Sequence, residues 1–237
     1  EDFRLPIGKT FTDGGRVAVT VTDLNSSRAV VQISILDLMA PSAPSGLVAQ
    51  TKSQTAVVLT WNASPDANSY EILRTYYPPL YSVIGTSPGA TFTDTSIFDY
   101  YHAYLYAVRA VDKAGNASTQ SSSVLTSTAV FSPLVAGQSV IRAQDVYDLR
   151  DAVREVAYFL AQLNVSIGSG WTDYYLERSF VRAVHVQELR SVLNNALNAL
   201  GLALPVYTNK AVAGDAIKAI DIQELRNAVK GFTAPAP

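Results

Sequence analysis

The amino-acid sequence predicts a multidomain protein of class β plus α, in which a β-sandwich is flanked by a short N-terminal β segment and a C-terminal domain of three repeated helices. Up to about residue 130, apolar and polar residues alternate in short runs, as in half-buried strands. After Phe131-Ser132-Pro133 the apolar residues recur at helical spacing, and a ten-residue motif occurs three times. We therefore expect domains at 1–40, 44–131 and 138–232.

The N-terminal segment, 1–40, carries two strand patterns. Val17, Val19 and Val21 alternate with smaller or polar residues, and residues 28–36 repeat the alternation. Two or three strands alone are marginally stable in water, so this segment must pack on the following domain, a neighbouring chain or an upstream part. Residues 5–36 resemble the β-rich C-terminal end of secreted gametolysin-type metallopeptidases.

A Pro/Ser-rich stretch at 40–45 marks a boundary, because Pro disfavours both helix and interior strand. Beyond it we predict seven short strands, which suit a sandwich. Their predicted ranges are 46–51, 56–61, 69–75, 81–86, 90–94, 101–112 and 118–130. The residues predicted to face the core are Leu59, Trp61, Tyr70, Ile72, Tyr106 and Val108.

Two motifs of this region resemble the fibronectin type III family. The first begins at Trp61 and includes Tyr70, and the second is the Tyr-x-Tyr-x-Val run from Tyr104 that leads into Ala114-Gly115-Asn116. In that family a Trp ends the second strand, and a run of this kind forms the strand before an Ala-Gly-Asn turn. The resemblance covers roughly 44–131 and implies a domain that presents, spaces or binds and rarely catalyses.

The repeated motif lies at 141–150, 181–190 and 217–226. Trp171-Thr172 precedes the second copy, and Tyr207-Thr208, which lies 36 residues later, precedes the third. Each copy is predicted to start extended and to enter a helix, with helices at about 145–163, 185–200 and 221–230. The repeat resembles helical tail segments of large secreted bacterial proteins, which implies an extracellular setting more than an activity.

Helix capping is the predicted role of the repeated polar residues. Each copy is predicted to place an N-cap residue and a partner three positions later, so that side chains satisfy backbone donors of the first turn. The pairs are Asp145 with Asp148, His185 with Glu188, and Asp221 with Glu224. A catalytic or calcium site is the alternative, but no calcium-loop pattern occurs. The arginines that end the copies are predicted to pair with acids across helices, with partner binding as the alternative.

Few residues are available for catalysis. The chain has no Cys and only two His, and neither His102 nor His185 lies in a His-Glu-x-x-His pattern. Nucleophile-elbow, phosphate-loop and dinucleotide motifs are also absent from the sequence. We therefore predict that the protein is not an enzyme and uses no cofactor or metal. His102 is interpreted as a partly exposed strand residue.

Charge and hydropathy narrow the partners. The formal net charge is -2, with 18 basic and 20 acidic residues, which gives no electrostatic reason to bind nucleic acid or an anionic membrane. No apolar run approaches the roughly 18 to 20 residues of a membrane span. The start at Glu1 fits a mature product or a fragment. The expected partner is a protein or glycan surface, or another copy of the chain.

Aromatic side chains are the remaining candidates for binding. One group lies between the third and fourth sandwich strands, and the other precedes the second repeat helix. Such rings offer large contact area at low entropy cost, although packing against a neighbouring module, such as 1–40, is the alternative. The candidates are Tyr76, Tyr77, Tyr81, Trp171, Tyr174 and Tyr175.

These observations predict a non-catalytic, secreted or cell-surface bacterial protein with a structural or adhesive role, whose modules are held in a line by Pro-containing links. In one variant, the N-terminal strands add to a neighbouring subunit and build a fibre. The alternative is a C-terminal accessory region of a secreted hydrolase, such as a metallopeptidase, that binds substrate or tethers the catalyst. A sugar-binding module is a third possibility.

Overall fold

The computed structural model describes residues 8, 10–12, 17–24, 29–35, 37–75, 80–97, 102–135, 140–161 and 170–231. The strands are β1 Thr10–Thr12, β2 Val17–Leu24, β3 Ala29–Ile35, β4 Ser45–Ser53, β5 Ala56–Asn62, β6 Ser69–Thr75, β7 Ser82–Ser87, β8 Thr91–Asp94, β9 Ala103–Val111 and β10 Val124–Ser127. The helices are α1 Ala143–Ala161, α2 Ala183–Ala199 and α3 Ala219–Val229, with a short 3-10 helix at Leu176–Arg178. This content confirms the predicted β plus α class.

The central sandwich consists of two antiparallel sheets, of order β4-β5-β8 and β10-β9-β6-β7. The six side chains predicted for its core are all buried. Trp61 packs edge-on against Tyr70 with ring centroids 5.3 Å apart. The Tyr70 hydroxyl also accepts the backbone N–H of Ser64 at 2.9 Å, so its polar end is satisfied inside the core.

The last sandwich strand is shorter than predicted. Residues 118–123 run beside β9, but Ser118 and Ser121 replace part of the backbone ladder with side-chain bonds. Ser118 Oγ accepts the N–H of Ala110 at 2.9 Å, and Ser121 Oγ accepts the N–H of Val108 at 3.0 Å. Because hydroxyls take the place of strand carbonyls here, regular pairing starts only at Val124.

The N-terminal sheet has the order β1-β2-β3, so the two predicted strands pair with each other and gain a third. Val21 lies opposite Val31, and Val19 lies opposite Ile33. Val21 is 2% exposed, whereas Val31 and Ile33 on edge strand β3 are 42% and 66% exposed. The predicted turn at 25–27 lies outside the described residues.

The helices begin two residues earlier than predicted, and this corrects the predicted caps. The residues predicted as N-caps lie inside the first turn, and each side chain accepts the N–H of the residue that precedes the helix. The bonds are Arg142 N–H to Asp145 Oδ2 at 2.7 Å, Arg182 N–H to His185 Nδ1 at 3.0 Å, and Lys218 N–H to Asp221 Oδ2 at 2.9 Å. In the described part of the chain, no helix is both long and apolar enough to cross a membrane.

The helices α1, α2 and α3, which we term the helical half, pack on the outer face of the four-stranded sheet instead of continuing in a line with it. Along β9, Tyr104 and Tyr106 face the sandwich core, while Ala103 and Leu105 belong to the core of the helices, together with Leu125 of β10. Left uncovered, these apolar side chains would lie in water, so the sheet and the helices share one interior. The expectation of modules linked in a line is therefore wrong for these two parts.

Two polar contacts accompany this shared core. Thr126 Oγ1 donates to the carbonyl of Lys230 at 2.9 Å, which joins β10 to the end of α3. His102 directly precedes β9 and is half exposed, and its Nδ1 lies 3.7 Å from Glu155 Oε2 on α1. The prediction of partial exposure for His102 is confirmed, but the residue lies just outside the strand.

Two helix-ending glycines provide a matched test of this junction. Gly231 and Gly201 have φ of 77° and 66°, but a Cβ on Gly231 would lie 2.4 Å from the carbonyl oxygen of Leu125, whereas one on Gly201 would meet nothing within 4 Å. We expect Gly201→Ala to lower the free energy of unfolding by about 1 kcal/mol, from the left-handed backbone alone. Gly231→Ala should lose about 2 kcal/mol more through the clash. Urea titrations of the whole chain measure both, and equal losses would argue against the tight junction.

Candidate functional site

An aromatic residue stands ten positions before the start of each copy of the repeat, and we term it the lead aromatic. Trp171 and Tyr207 precede the second and third copies. Phe131 precedes Trp171 by 40 residues, as Ile141 precedes Val181, so it is the lead aromatic of the first copy. This correspondence was missed in the sequence analysis, although the spacing carries it.

The arginine that ends each copy lies against the lead aromatic of the next copy. The guanidinium carbon of Arg150 is 5.2 Å from the centroid of the Trp171 ring, and that of Arg190 is 4.2 Å from Tyr207. Arg226 of the third copy returns to Phe131 of the first, at 5.0 Å. The three copies therefore form a closed ring of cation–π contacts.

Each guanidinium also donates to a backbone carbonyl beside the lead aromatic. The bonds are Arg150 Nη2 to Thr172 O at 2.9 Å, Arg190 Nη1 to Asn209 O at 2.5 Å, and Arg226 Nη1 to Ser132 O at 2.7 Å. All three arginines are buried. A buried charge must be paired to be tolerated, so these contacts are the condition for placing cations in the core.

Acidic side chains from the next copy complete two of the three sites. Arg226 Nη2 donates to Asp145 Oδ1 at 2.6 Å, and Arg190 Nη2 donates to Asp221 Oδ1 at 3.1 Å. The prediction that the repeated arginines pair with acids across helices is confirmed. In the second copy His185 replaces the Asp, and Arg150 has Glu188 at 3.8 Å instead. Burial lowers the pKa of Arg150.

The predicted cap partners have other roles. Glu188 accepts the N–H of Thr172, and Glu224 accepts the N–H of Thr208, each at 2.9 Å. These carboxylates thus hold the segments that carry the lead aromatics. Asp148 accepts a bond from Gln144 Nε2 at 2.7 Å on its own helix. The prediction that these residues are reciprocal cap partners is wrong, because the helices start earlier.

His185 is fully buried and uncharged in this arrangement. Its Nδ1 accepts the Arg182 N–H, so Nδ1 carries no proton, and its Nε2 lies 3.3 Å from Asp173 Oδ2. Burial lowers the pKa of His185, while the bond to Asp173 opposes that shift. The pKa of Asp173 is itself lowered, chiefly by its hydrogen bond from Arg182.

The predicted aromatic candidates divide into packed and exposed residues. Tyr81 is half-buried, with its hydroxyl 2.8 Å from Ser123 Oγ, and burial raises its pKa. Trp171 is partly buried against Arg150. Tyr174 and Tyr175 are 64% and 72% exposed, and their rings meet edge to face at 5.2 Å. Tyr76 and Tyr77 lie outside the described residues.

Trp171, Tyr174 and Tyr175 lie together in a surface depression of about 270 Å³, which we term the aromatic groove. The Tyr147 hydroxyl donates to Glu177 Oε2 at 2.8 Å and accepts the N–H of Leu176 at 2.6 Å. The other lining residues come mainly from one face of α1, and of these the sequence analysis had singled out only Arg150, as the arginine that ends the first copy. They are Tyr147, Arg150, Asp151, Arg154 and Glu177.

Among the residues that the structure describes, no group of three or more His, Asp or Glu side chains could hold a metal ion. His185 and the acids of the repeat form bonds within the fold, and none of them lines the aromatic groove. The arrangement can offer rings and hydrogen-bonding groups to a ligand at its surface.

The chain is similar in sequence to segments of known bacterial enzymes. Residues of this chain are 34% identical to exoglucanase B of Cellulomonas fimi over 140 residues, which is 50% of this chain and 12% of that enzyme. They are also 34% identical to amylopullulanase of Thermoanaerobacterium saccharolyticum over 116 residues, 48% of this chain and 9% of the enzyme. The chain thus spans about a tenth of the length of these relatives. No protein-family profile matches it.

Among solved structures, the chain is similar to a fibronectin-type-III-like protein from Clostridium thermocellum. The identity is 32% and the TM-score 0.35, over 41% of this chain and 99% of that protein.

Removing Arg226 should open the closed ring. In Arg226→Met, the Asp145 carboxylate keeps its burial and loses its cation, so we expect the free energy of unfolding to fall by about 3–5 kcal/mol. Arg154→Met is the matched control, because Arg154 pairs with Asp151 at the surface and should change stability by about 0.5 kcal/mol or less. Denaturant titration measures both. Adding Asp145→Leu to Arg226→Met should recover part of the loss, and no recovery would contradict a penalty from the unpaired acid.

His185 should make stability depend on pH. Its pKa is lowered in the folded protein from the ordinary 6.5, so the unfolded state binds the proton first as the pH falls. The free energy that neutral His185 contributes to stability is fully present above about pH 6.5, and it is lost as the pH falls from there to the folded pKa. His185→Asn keeps an acceptor for the Arg182 N–H and cannot titrate. Unfolding titrations from pH 7.5 to 4.5 should show the native chain losing stability relative to this variant, and parallel curves would contradict the assignment.

Proposed function

We propose that the chain is a non-catalytic, extracellular accessory region of a secreted bacterial hydrolase, built around the fibronectin type III sandwich formed by β4 to β10. Its role is to hold a recognition surface in a fixed position beside a catalytic part. The observation that carries this proposal is the shared core of sandwich and helices, which attaches the helical half firmly to the sheet.

The use of ionisable groups supports a non-catalytic role. The buried arginines of the helical half are engaged by rings, carbonyls and acids within the fold. In the sandwich, Arg74 Nη1 donates to Asp94 Oδ2 at 2.6 Å, and the Tyr106 hydroxyl donates to the same oxygen at 2.8 Å. Groups held in this way stabilise a scaffold and are poorly placed to exchange protons with a substrate.

The relatives support the accessory part of the proposal. They carry the names of polymer-degrading enzymes, and the similarity covers about a tenth of their lengths. A segment of that size fits a module beside a catalytic domain better than the catalytic domain itself. Beside an enzyme of this kind, the chain would be extracellular and would have a structural or adhesive role.

Self-assembly through the N-terminal strands is a second candidate function. Edge strand β3 exposes Val31 and Ile33, and an open apolar edge can pair with a strand of another chain. Such head-to-tail pairing would build a fibre. Assembly of this kind involves the N-terminal sheet alone and does not require the aromatic groove.

A turnover assay tests the accessory role. The purified chain, incubated with carboxymethylcellulose, soluble starch, colloidal chitin and casein, should release no reducing ends or peptides above a boiled sample. Product that disappears when His102, His185 or Glu177 is replaced by Ala would overturn the proposal. Sedimentation velocity on the same sample tests the second candidate, self-assembly. A chain that stays monomeric over a hundredfold range of concentration would exclude the fibre.

A further inference from the structure

We propose that the aromatic groove binds a neutral polysaccharide chain. This inference rests on the proposed accessory function and names its ligand class. The groove lies between α1 and the loop before α2, and its accessible rings are Tyr174 and Tyr175.

The two rings form an apolar platform that is costly to leave in water. Tyr174 and Tyr175 stand at 81° to each other, so they present two faces at an angle. Exposed aromatic surface of this kind marks an interaction site more often than scattered single residues do. The C–H faces of a sugar ring match an aromatic face, whereas the hydroxyls at the ring edge remain free to form hydrogen bonds.

The platform is held in place before any ligand arrives. Leu176, which follows the two tyrosines and starts the 3-10 helix, is 1% exposed and packs in the helical core. The Tyr147 hydroxyl accepts its N–H at 2.6 Å, and Arg150 Nη1 donates to the carbonyl of Asp173 just before the pair. Fixed rings lose little entropy on binding.

The other two copies of the repeat show whether the fold requires the two tyrosines. All three copies keep the lead aromatic and the buried arginine that the ring of contacts requires. At the positions of Tyr174 and Tyr175, by contrast, the first copy has Leu134 and Val135 and the third has Lys210 and Ala211. The tyrosine pair is therefore not a requirement of the repeat fold, which leaves recognition as its role.

The polar groups of the groove fit a neutral ligand. Two arginines, Arg150 and Arg154, are balanced by two acids, Asp151 and Glu177, so the lining has no excess charge. Arg154 and Asp151 pair at 2.9 Å and both remain about half exposed. Hydroxyl groups both donate and accept, so they can use guanidinium and carboxylate together, whereas a polyanion would meet the two acids.

The size of the groove favours a long ligand over an enclosed small molecule. Its volume is about 270 Å³, and it is open to solvent. Cavities that enclose small ligands usually hold about 300–1,000 Å³ and bury most of the ligand. An open groove of this size instead contacts a few units of a chain that continues on both sides.

Affinity electrophoresis and isothermal titration with the whole chain test the proposal. The neutral probes are hydroxyethylcellulose, xylan and glycol chitin, with cellohexaose and chitohexaose for titration, and polygalacturonate is the anionic probe. We expect binding to at least one neutral probe and a loss of at least tenfold in affinity for Tyr174→Ala/Tyr175→Ala. Phe180→Ala is the matched control, because Phe180 is 89% exposed in the same half but does not line the groove.

Each outcome decides the proposal. Binding that the double variant loses and Phe180→Ala keeps, with unchanged thermal unfolding of both, supports it. Binding that survives the double variant, binding to polygalacturonate alone, or no binding to any neutral probe overturns the groove assignment. None of these results touches the accessory role, which fails only if the chain itself releases product from the same polymers.

Discussion

The stability of the helical half depends on the contacts that its three buried guanidinium groups make. Each one is placed among apolar side chains, where an unpaired charge would be strongly unfavourable. A ring, a backbone carbonyl and a carboxylate from the next copy together offset that cost. Because every arginine needs the next copy, the three helices are stable only as a set, and the third must return to the first.

The closure of this ring also fixes the helices to the sandwich. Phe131 and Ser132 follow β10 by only a few residues, and they form the site that receives Arg226 from α3. The end of α3 is thereby brought back to β10, where Thr126 bonds to the carbonyl of Lys230. One set of contacts thus completes the repeat and covers the outer apolar face of the sheet.

The second copy departs from its neighbours in both structure and surface. His185 takes the place of an Asp and contacts Asp173, so this copy has a His–Asp contact where the other two have an Arg–Asp ion pair. The same copy carries Tyr174 and Tyr175. A scaffold stabilised three times over tolerates such changes in one unit, which is how a repeat can acquire a recognition surface without losing its fold.

The sequence by itself determined the features that local spacing encodes. The period-two runs located the sandwich strands and its six core residues, and the helical period located the three helices to within two residues of their starts. It did not determine that Arg226 pairs with Asp145, 81 residues away, or that Leu105 and Leu125 lie under the helices instead of in solvent. These contacts join segments that approach each other only after the chain has folded. Tertiary structure alone therefore decided which acid meets which arginine and which tyrosines remain exposed, since burial depends on what packs nearby and not on neighbours in sequence.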